Sequence, residues 1–162
     1  MRIVAFTLIV LCSMAITAQE IQWMSFEDAV AMTQNEGNTK KVFIDVYTDW
    51  CGWCKKMDRD TFEKSEIADY MNEHYYAVKF NAEQKEDIVL GEQTFKFVAN
   101  GRRGYHELAV ALMNGKLSYP TVVVMNEKFK LLQPIPGYRG PSEMKKVLTF
   151  FAEDQHLQKK SE

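Results

Sequence analysis

Two cysteines separated by a glycine and a tryptophan, Cys51-Gly52-Trp53-Cys54, are the residues of this chain whose type and spacing point to chemistry. A strand-like run, Lys41 to Tyr47, lies just ahead of them and a helical composition, Lys55 to Phe62, just behind. Cys51 is therefore expected at the start of a helix, where free N–H groups and the positive end of the helix dipole favour thiolate over thiol. Cys54 stands one turn on, within reach of a mixed disulfide held by Cys51, so the spacing supplies an attacking and a resolving thiol together. A c-type haem attachment needs histidine after the second cysteine, and Lys55 stands there. Structural zinc needs two more ligands at motif spacing, whereas His74, His106 and His156 are scattered singly. A purely structural disulfide would close too small a loop to stabilise the fold much through chain entropy. Thiol–disulfide exchange is the expected chemistry, with no metal and no cofactor.

The surrounding elements must hold that pair in place. Ser25 caps a helix with Phe26, Ala29, Val30 and Thr33 on one face and Gly37 as its stop. Lys41 to Tyr47 reads as a buried strand rich in β-branched and aromatic residues. After the cysteines, Ser65 recaps a helical stretch with Ile67, Tyr70, Met71, His74 and Tyr75 at helical spacing, and Tyr76 to Asn81 is the next strand. Strand, helix and strand in that order predict a parallel pair with a right-handed crossover. Further on, Tyr105, Leu108, Ala109, Leu112 and Met113 form a helix face stopped by Gly115. Thr121 to Met125 and Leu131 to Ile135 flank a polar turn and predict an antiparallel hairpin. A last helix starts near Pro141-Ser142 and presents Met144, Val147, Leu148, Phe151 and Ala152. These elements define an α/β domain: a mixed sheet with helices on both faces.

Asp45 stands in an otherwise apolar strand, so it must be paired or carry a raised pKa unless it faces solvent at an edge. Pro120 opens a strong β run, where it cannot donate to the ladder. Trp50 and Trp53 offer an apolar rim beside the cysteines, Trp53 more so because it lies between them.

Several of these pieces together resemble the thioredoxin superfamily, over most of residues 21 to 155. Phe43 to Cys51 is similar to the thioredoxin strand that carries a buried acid six residues before the nucleophile, followed by a tryptophan directly before it. Val78-Lys79-Phe80-Asn81 resembles the strand whose lysine lies near that acid, and Tyr119-Pro120-Thr121 the loop whose cis-proline faces the active cysteine. Pro136-Gly137-Tyr138-Arg139-Gly140 is similar to the glycine-bearing end of the last strand. Cys54-Lys55-Lys56-Met57, Thr61-Phe62, Ile67-Ala68 and Asn72 resemble most closely exported thioredoxin-like proteins and the soluble redox domain of the transmembrane thiol-disulfide interchange protein. The resemblance implies a thioredoxin fold with Cys51, Cys54, Asp45 and a supporting Lys79 as the catalytic set. Asp45 would take the proton from Cys54 during resolution. Trp50, Gly52, Trp53, Tyr119 and Pro120 would bind substrate, a peptide pairing with Tyr119 as an added strand. Two departures stand out: Trp53 replaces the thioredoxin proline, and residues 82–118 form an insertion before the cis-proline strand.

Within that insertion, Asp87 to Phe97 reads as a small hairpin around Gly91. Asn100-Gly101-Arg102-Arg103-Gly104 places two arginines between glycines, but no preceding strand or Lys-Ser/Thr pair supports a phosphate loop, and a flexible solvated turn is expected.

The whole chain sets the context. It has 162 residues, 46% hydrophobic and 26% charged, the balance of one globular domain. A net charge of −2, from 20 basic and 22 acidic residues, offers no bulk attraction for nucleic acid or anionic lipid. Arg2, the apolar run Ile3 to Ile16 and Thr17-Ala18 read as a cleaved export signal over residues 1–18, too short to span a bilayer. Leu11 before Cys12 argues against a lipoprotein site, and the nine methionines read as core filler. Residues 19–162 are then one thioredoxin-like domain, periplasmic or secreted, and the ending Lys159-Lys160-Ser161-Glu162 carries no endoplasmic-reticulum retention signal. The expected partners are protein thiols and disulfides and a membrane thiol-electron donor, with no nucleic acid and no stable membrane insertion. The uncharged Gly52-Trp53 pair favours a reductase or relay over a strong oxidant. The rival reading, from another class, is a redox-silent module that binds a peptide or protein partner.

Overall fold

The computed structural model describes residues 19–158; the expected leader, with Cys12, and the last four residues lie outside the described residues. A short strand β1 (Trp23–Met24) leads into α1 (Phe26–Thr33), whose first turn is capped by Ser25: its Oγ accepts the Asp28 N–H at 3.0 Å. Strand β2 (Lys41–Tyr47) follows, then α2 (Gly52–Met57), a wider π-helical turn (Asp58–Phe62), α3 (Ser65–His74) and β3 (Tyr75–Asn81). The inserted segment folds into two hairpins, β4 (Ile88–Leu90) with β5 (Gln93–Phe95) and β6 (Phe97–Asn100) with β7 (Arg103–His106), and then α4 (Glu107–Leu112). Strands β8 (Thr121–Met125) and β9 (Leu131–Pro136) and helices α5 (Pro141–Ala152) and α6 (Gln155–Gln158) complete the chain.

The main sheet runs β1-β3-β2-β8-β9. Strands β1, β3 and β2 are parallel, while β8 and β9 are antiparallel to their neighbours. β2 is paired on both sides and covered on both faces, which is why its sequence is a nearly unbroken apolar run. β9 lies at the edge, where Pro134 and Pro136 cost the ladder least.

Alternation along β2 divides the core. Val42, Ile44 and Val46 pack with Phe26, Phe80, Leu108 and Leu112 on the side of α1 and α4. Phe43 packs with Met57, Phe62, Ile67, Met71, Met144 and Leu148 on the side of α2, α3 and α5. Each fully buried side chain of this size contributes roughly 1.5–3 kcal/mol. Asp45 shares its parity with Phe43 and so lies under the helix that carries the cysteines.

The predicted parallel pair, the β8–β9 hairpin and the hairpin around Gly91 are present. Other expectations need correction. Tyr75 and Tyr105 are strand residues, because β3 and β7 begin before the helical spacing is exhausted. Lys64, not Ser65, occupies the cap of α3, and α1 ends at Thr33, ahead of Gly37. The helix from Lys55 to Phe62 widens into the π turn, closed by Glu63 N–H donating to the Asp58 carbonyl at 3.0 Å. The expected solvated turn narrows to Gly101-Arg102, the tip of a second hairpin, while Arg103 is a strand residue registered against Asn100.

Candidate redox site

The chain leaves β2 through a turn in which the Cys51 N–H donates to the Thr48 carbonyl at 3.1 Å. Cys51 is the N-cap of α2 and is joined to Cys54 by a disulfide with Cα atoms 5.3 Å apart. The Cys54 N–H donates to Cys51 Sγ at 3.1 Å. That donor is one of the helix's unpaired N–H groups, and it would strengthen as Cys51 gains negative charge on reduction. A side chain at Gly52 would meet no atom within 4 Å, so there is open room directly beside Cys51.

Parallel register sets Asp45 beside Lys79, on the same face of neighbouring strands. Lys79 Nζ lies 3.6 Å from Asp45 Oδ2, beyond hydrogen-bond reach, and neither Asp45 oxygen has a hydrogen-bond partner. Lys79 is held instead by a short ion pair to Asp58. Burial pushes the Asp45 carboxyl up to about 7; the Lys79 ammonium draws it down and the Asp58 charge raises it. A buried acid tuned to that range is suited to accept and return a proton near neutral pH. Asp58 stands out only in three dimensions, since the π turn carries it over β3; a spacing of seven residues from Cys51 announces nothing.

Around the disulfide, Trp50 and Trp53 are 49% and 60% exposed, the exposure a contact rim requires. The Tyr119–Pro120 peptide bond is cis and directly precedes Thr121, which is registered against Val46 at the same end of β2 from which the Cys51 turn departs. Tyr119 meets the Trp50 ring edge-on, centroids 5.9 Å apart, and Trp53 leans on Tyr138 at 5.6 Å. Trp50 is also gripped from the insertion: its Nε1–H donates to Glu83 Oε1 at 3.0 Å, and the Arg103 guanidinium lies 4.1 Å over its ring. Reasoning from sequence missed Glu83 and Arg103 as neighbours of the site. The arginine pair between glycines was the one available signal.

The mixed sheet, its helices and the cysteine pair at the start of α2 define a thioredoxin fold, and the matching family model places the chain in the thioredoxin superfamily. The chain belongs to the Thioredox_DsbH family, described as "Protein of unknown function, DUF255", whose profile matches residues 13–135. Among solved structures it is similar to a DsbH oxidoreductase (TM-score 0.60, 20% identity, 84% of this chain and 87% of that one). It is also similar to a candidate disulphide-isomerase of Bacteroides thetaiotaomicron (TM-score 0.55, 26% identity, 82% of this chain and 94% of that one). Curated relatives are much longer. Uncharacterized protein B0495.5 of Caenorhabditis elegans is 27% identical over 46% of this chain, a match that spans 10% of that protein's length. Spermatogenesis-associated protein 20 of Rattus norvegicus is 28% identical over 40% of this chain and 8% of its own length. Among the described residues, no helix is long and apolar enough to cross a membrane.

Proposed function

We propose that this protein is an exported thiol–disulfide oxidoreductase that reduces, or relays electrons to, protein disulfides. The observation that carries the reading is the Cys51–Cys54 disulfide at the start of α2, with a backbone N–H on Cys51 Sγ and a buried carboxyl tuned near neutrality on the sheet face beneath. In the reduced protein, the Cys51 thiolate attacks a substrate disulfide, forming a mixed disulfide and releasing one substrate thiolate. Asp45 takes the Cys54 proton, Cys54 attacks Cys51 Sγ, and the second substrate thiolate leaves. The substrate gains two electrons and two protons; the protein ends oxidised and is reduced again by a membrane dithiol donor. Lys79 supports Asp45, and Trp50, Gly52, Trp53, Tyr119 and Pro120 form the surface on which substrate lies.

Residues 1–18 act in this reading as a cleaved export signal that delivers a single domain, 19–162 with its insertion at 82–118, to the periplasm or the outside of the cell. Cys54→Ser is expected to accumulate mixed disulfides through Cys51, while Cys51→Ser traps none, as read by diagonal gel electrophoresis. Equal trapping by both variants overturns the division of roles. Trapping by neither, with no fast-alkylating thiol in the reduced protein, favours a redox-silent binding module.

A further inference from the structure

The second hairpin of the insertion, β6–β7, ends beside the redox pair and carries its own recognition chemistry. An open groove of about 320 Å³ is lined by Glu83, Lys85, Phe97, Arg102, Arg103 and Gly104. Lys85, Arg102 and Arg103 are exposed, and among the described residues none of the three has a carboxylate within ion-pair distance. Glu83, the single acid lining the groove, accepts the Trp50 Nε1–H through Oε1 at 3.0 Å. Lys96, outside the groove, is by contrast paired with Asp87 at 3.5 Å. Three cations against one acid around one groove are a local positive excess in a chain whose net charge is −2.

The groove is continuous with the site through one side chain. The Arg103 guanidinium sits 4.1 Å from the centre of the ring of Trp50, the residue directly before Cys51, a cation–π contact that holds it beside the site while its five N–H donors can serve a planar anion. Phe97 supplies apolar wall, and the closeness of its ring to Gly104 shapes the floor. We propose that this groove binds an acidic stretch, Asp or Glu side chains, of the protein substrate whose disulfide is presented to Cys51. This rests on the oxidoreductase reading above and adds the class of substrate. Carboxylates would meet Lys85 and Arg102 at the rim and Arg103 at the Trp50 edge, so the acidic segment flanks the reacting disulfide and raises the productive encounter rate.

Two experiments separate the groove from the chemistry. In the first, the chain is titrated with an acidic peptide whose cysteines are alkylated, and the Trp50 indole and Gly104 amide resonances are followed. Both are expected to move, and to stay still with a basic peptide of the same length. In the second, the reduced chain is given disulfide peptides flanked by acidic or by basic residues. The acidic peptide is expected to react roughly tenfold faster at low salt, with the ratio falling towards one by about 0.5 M salt. K85E/R102E is expected to invert the order, so that the basic peptide reacts faster, a gain that a misfolded variant cannot produce. Still resonances, equal rates for the two peptides, or an unchanged order in K85E/R102E overturns the proposal. Single-stranded nucleic acid that moves the same resonances better than the acidic peptide does so too. If hydroxyethyl disulfide is not reduced at all, the oxidoreductase reading fails, and the titration alone decides the groove.

Discussion

Asp45 carries a conflict between chemistry and stability. An ordinary aspartate titrates near 3.8 and Asp45 near about 7, so between those values the folded chain holds a proton that the unfolded chain has released. The stability contributed by this group is therefore highest below the unfolded value, falls as pH rises to about 7, and is level beyond. The full difference corresponds to roughly 4 kcal/mol at most. Asp45→Asn is accordingly expected to raise the melting temperature at pH 8 and leave it nearly unchanged below pH 4. The same substitution removes the proton acceptor, so disulfide exchange at pH 8 is expected to slow by roughly 10²-fold, the gap narrowing below pH 6 where the native Asp45 is already protonated. A variant no more stable at pH 8 contradicts the burial argument, and stopped-flow rates that match the native protein at every pH contradict the catalytic one.

At the scale of elements, the β6–β7 hairpin depends on close packing at one glycine. A Cβ on Gly104 would sit 2.5 Å from the Val98 carbonyl oxygen and within the contact distance of the Phe97 ring. The ring has some freedom to swing, but the carbonyl belongs to the hairpin's own backbone. Gly104→Ala is expected to destabilise the protein by about 1–3 kcal/mol and to lift Arg103 off Trp50. The Trp50 indole resonance reports the second effect, and an unmoved resonance with unchanged stability would mean the hairpin has slack to absorb a methyl group. His106 closes the insertion on its own start and on the sheet: its N–H donates to the Ala82 carbonyl at 2.7 Å, its buried ring caps α4 and lies 3.1 Å from the Glu86 carbonyl, and that ring meets Phe80 of β3 edge-on at 5.5 Å. The insertion is thus built against the strand that carries Lys79.

For the whole molecule the open quantity is the direction of electron flow. Gly52 and Trp53 place no charge between the cysteines, so stabilisation of the Cys51 thiolate falls chiefly to the Cys54 N–H and the start of α2. Above about pH 7, an ionised Asp45 opposes that thiolate. A reduction potential nearer the roughly −270 mV of thioredoxin than the roughly −120 mV of the strong periplasmic oxidant is expected from equilibrium with glutathione. A value close to the oxidant would reverse the direction to disulfide formation.

Strand β2 and the redox pair were legible from residues alone, because a strand buried on both faces writes itself as a continuous β-branched and aromatic run, and a helix-opening C-x-x-C needs only local spacing. The same held for the β8–β9 hairpin, flanked by a polar turn. Asp45 was conspicuous as an acid among apolar neighbours, but its partner was a matter of register: parallel pairing brings Lys79 alongside, and the π turn then draws Lys79 towards Asp58. The second hairpin of the insertion has short strands containing Gly, Arg and Asn, with no alternation to read, and it exists through the pairing of Phe97 with His106 and the bare backbone at Gly104. The amino-acid sequence by itself determined the chemistry at Cys51 and Cys54, since that depends on neighbours a turn apart. Only the tertiary structure decided what surrounds Trp50, because Glu83, Arg103 and Tyr119 reach it from distant parts of the chain through packing that no local pattern encodes.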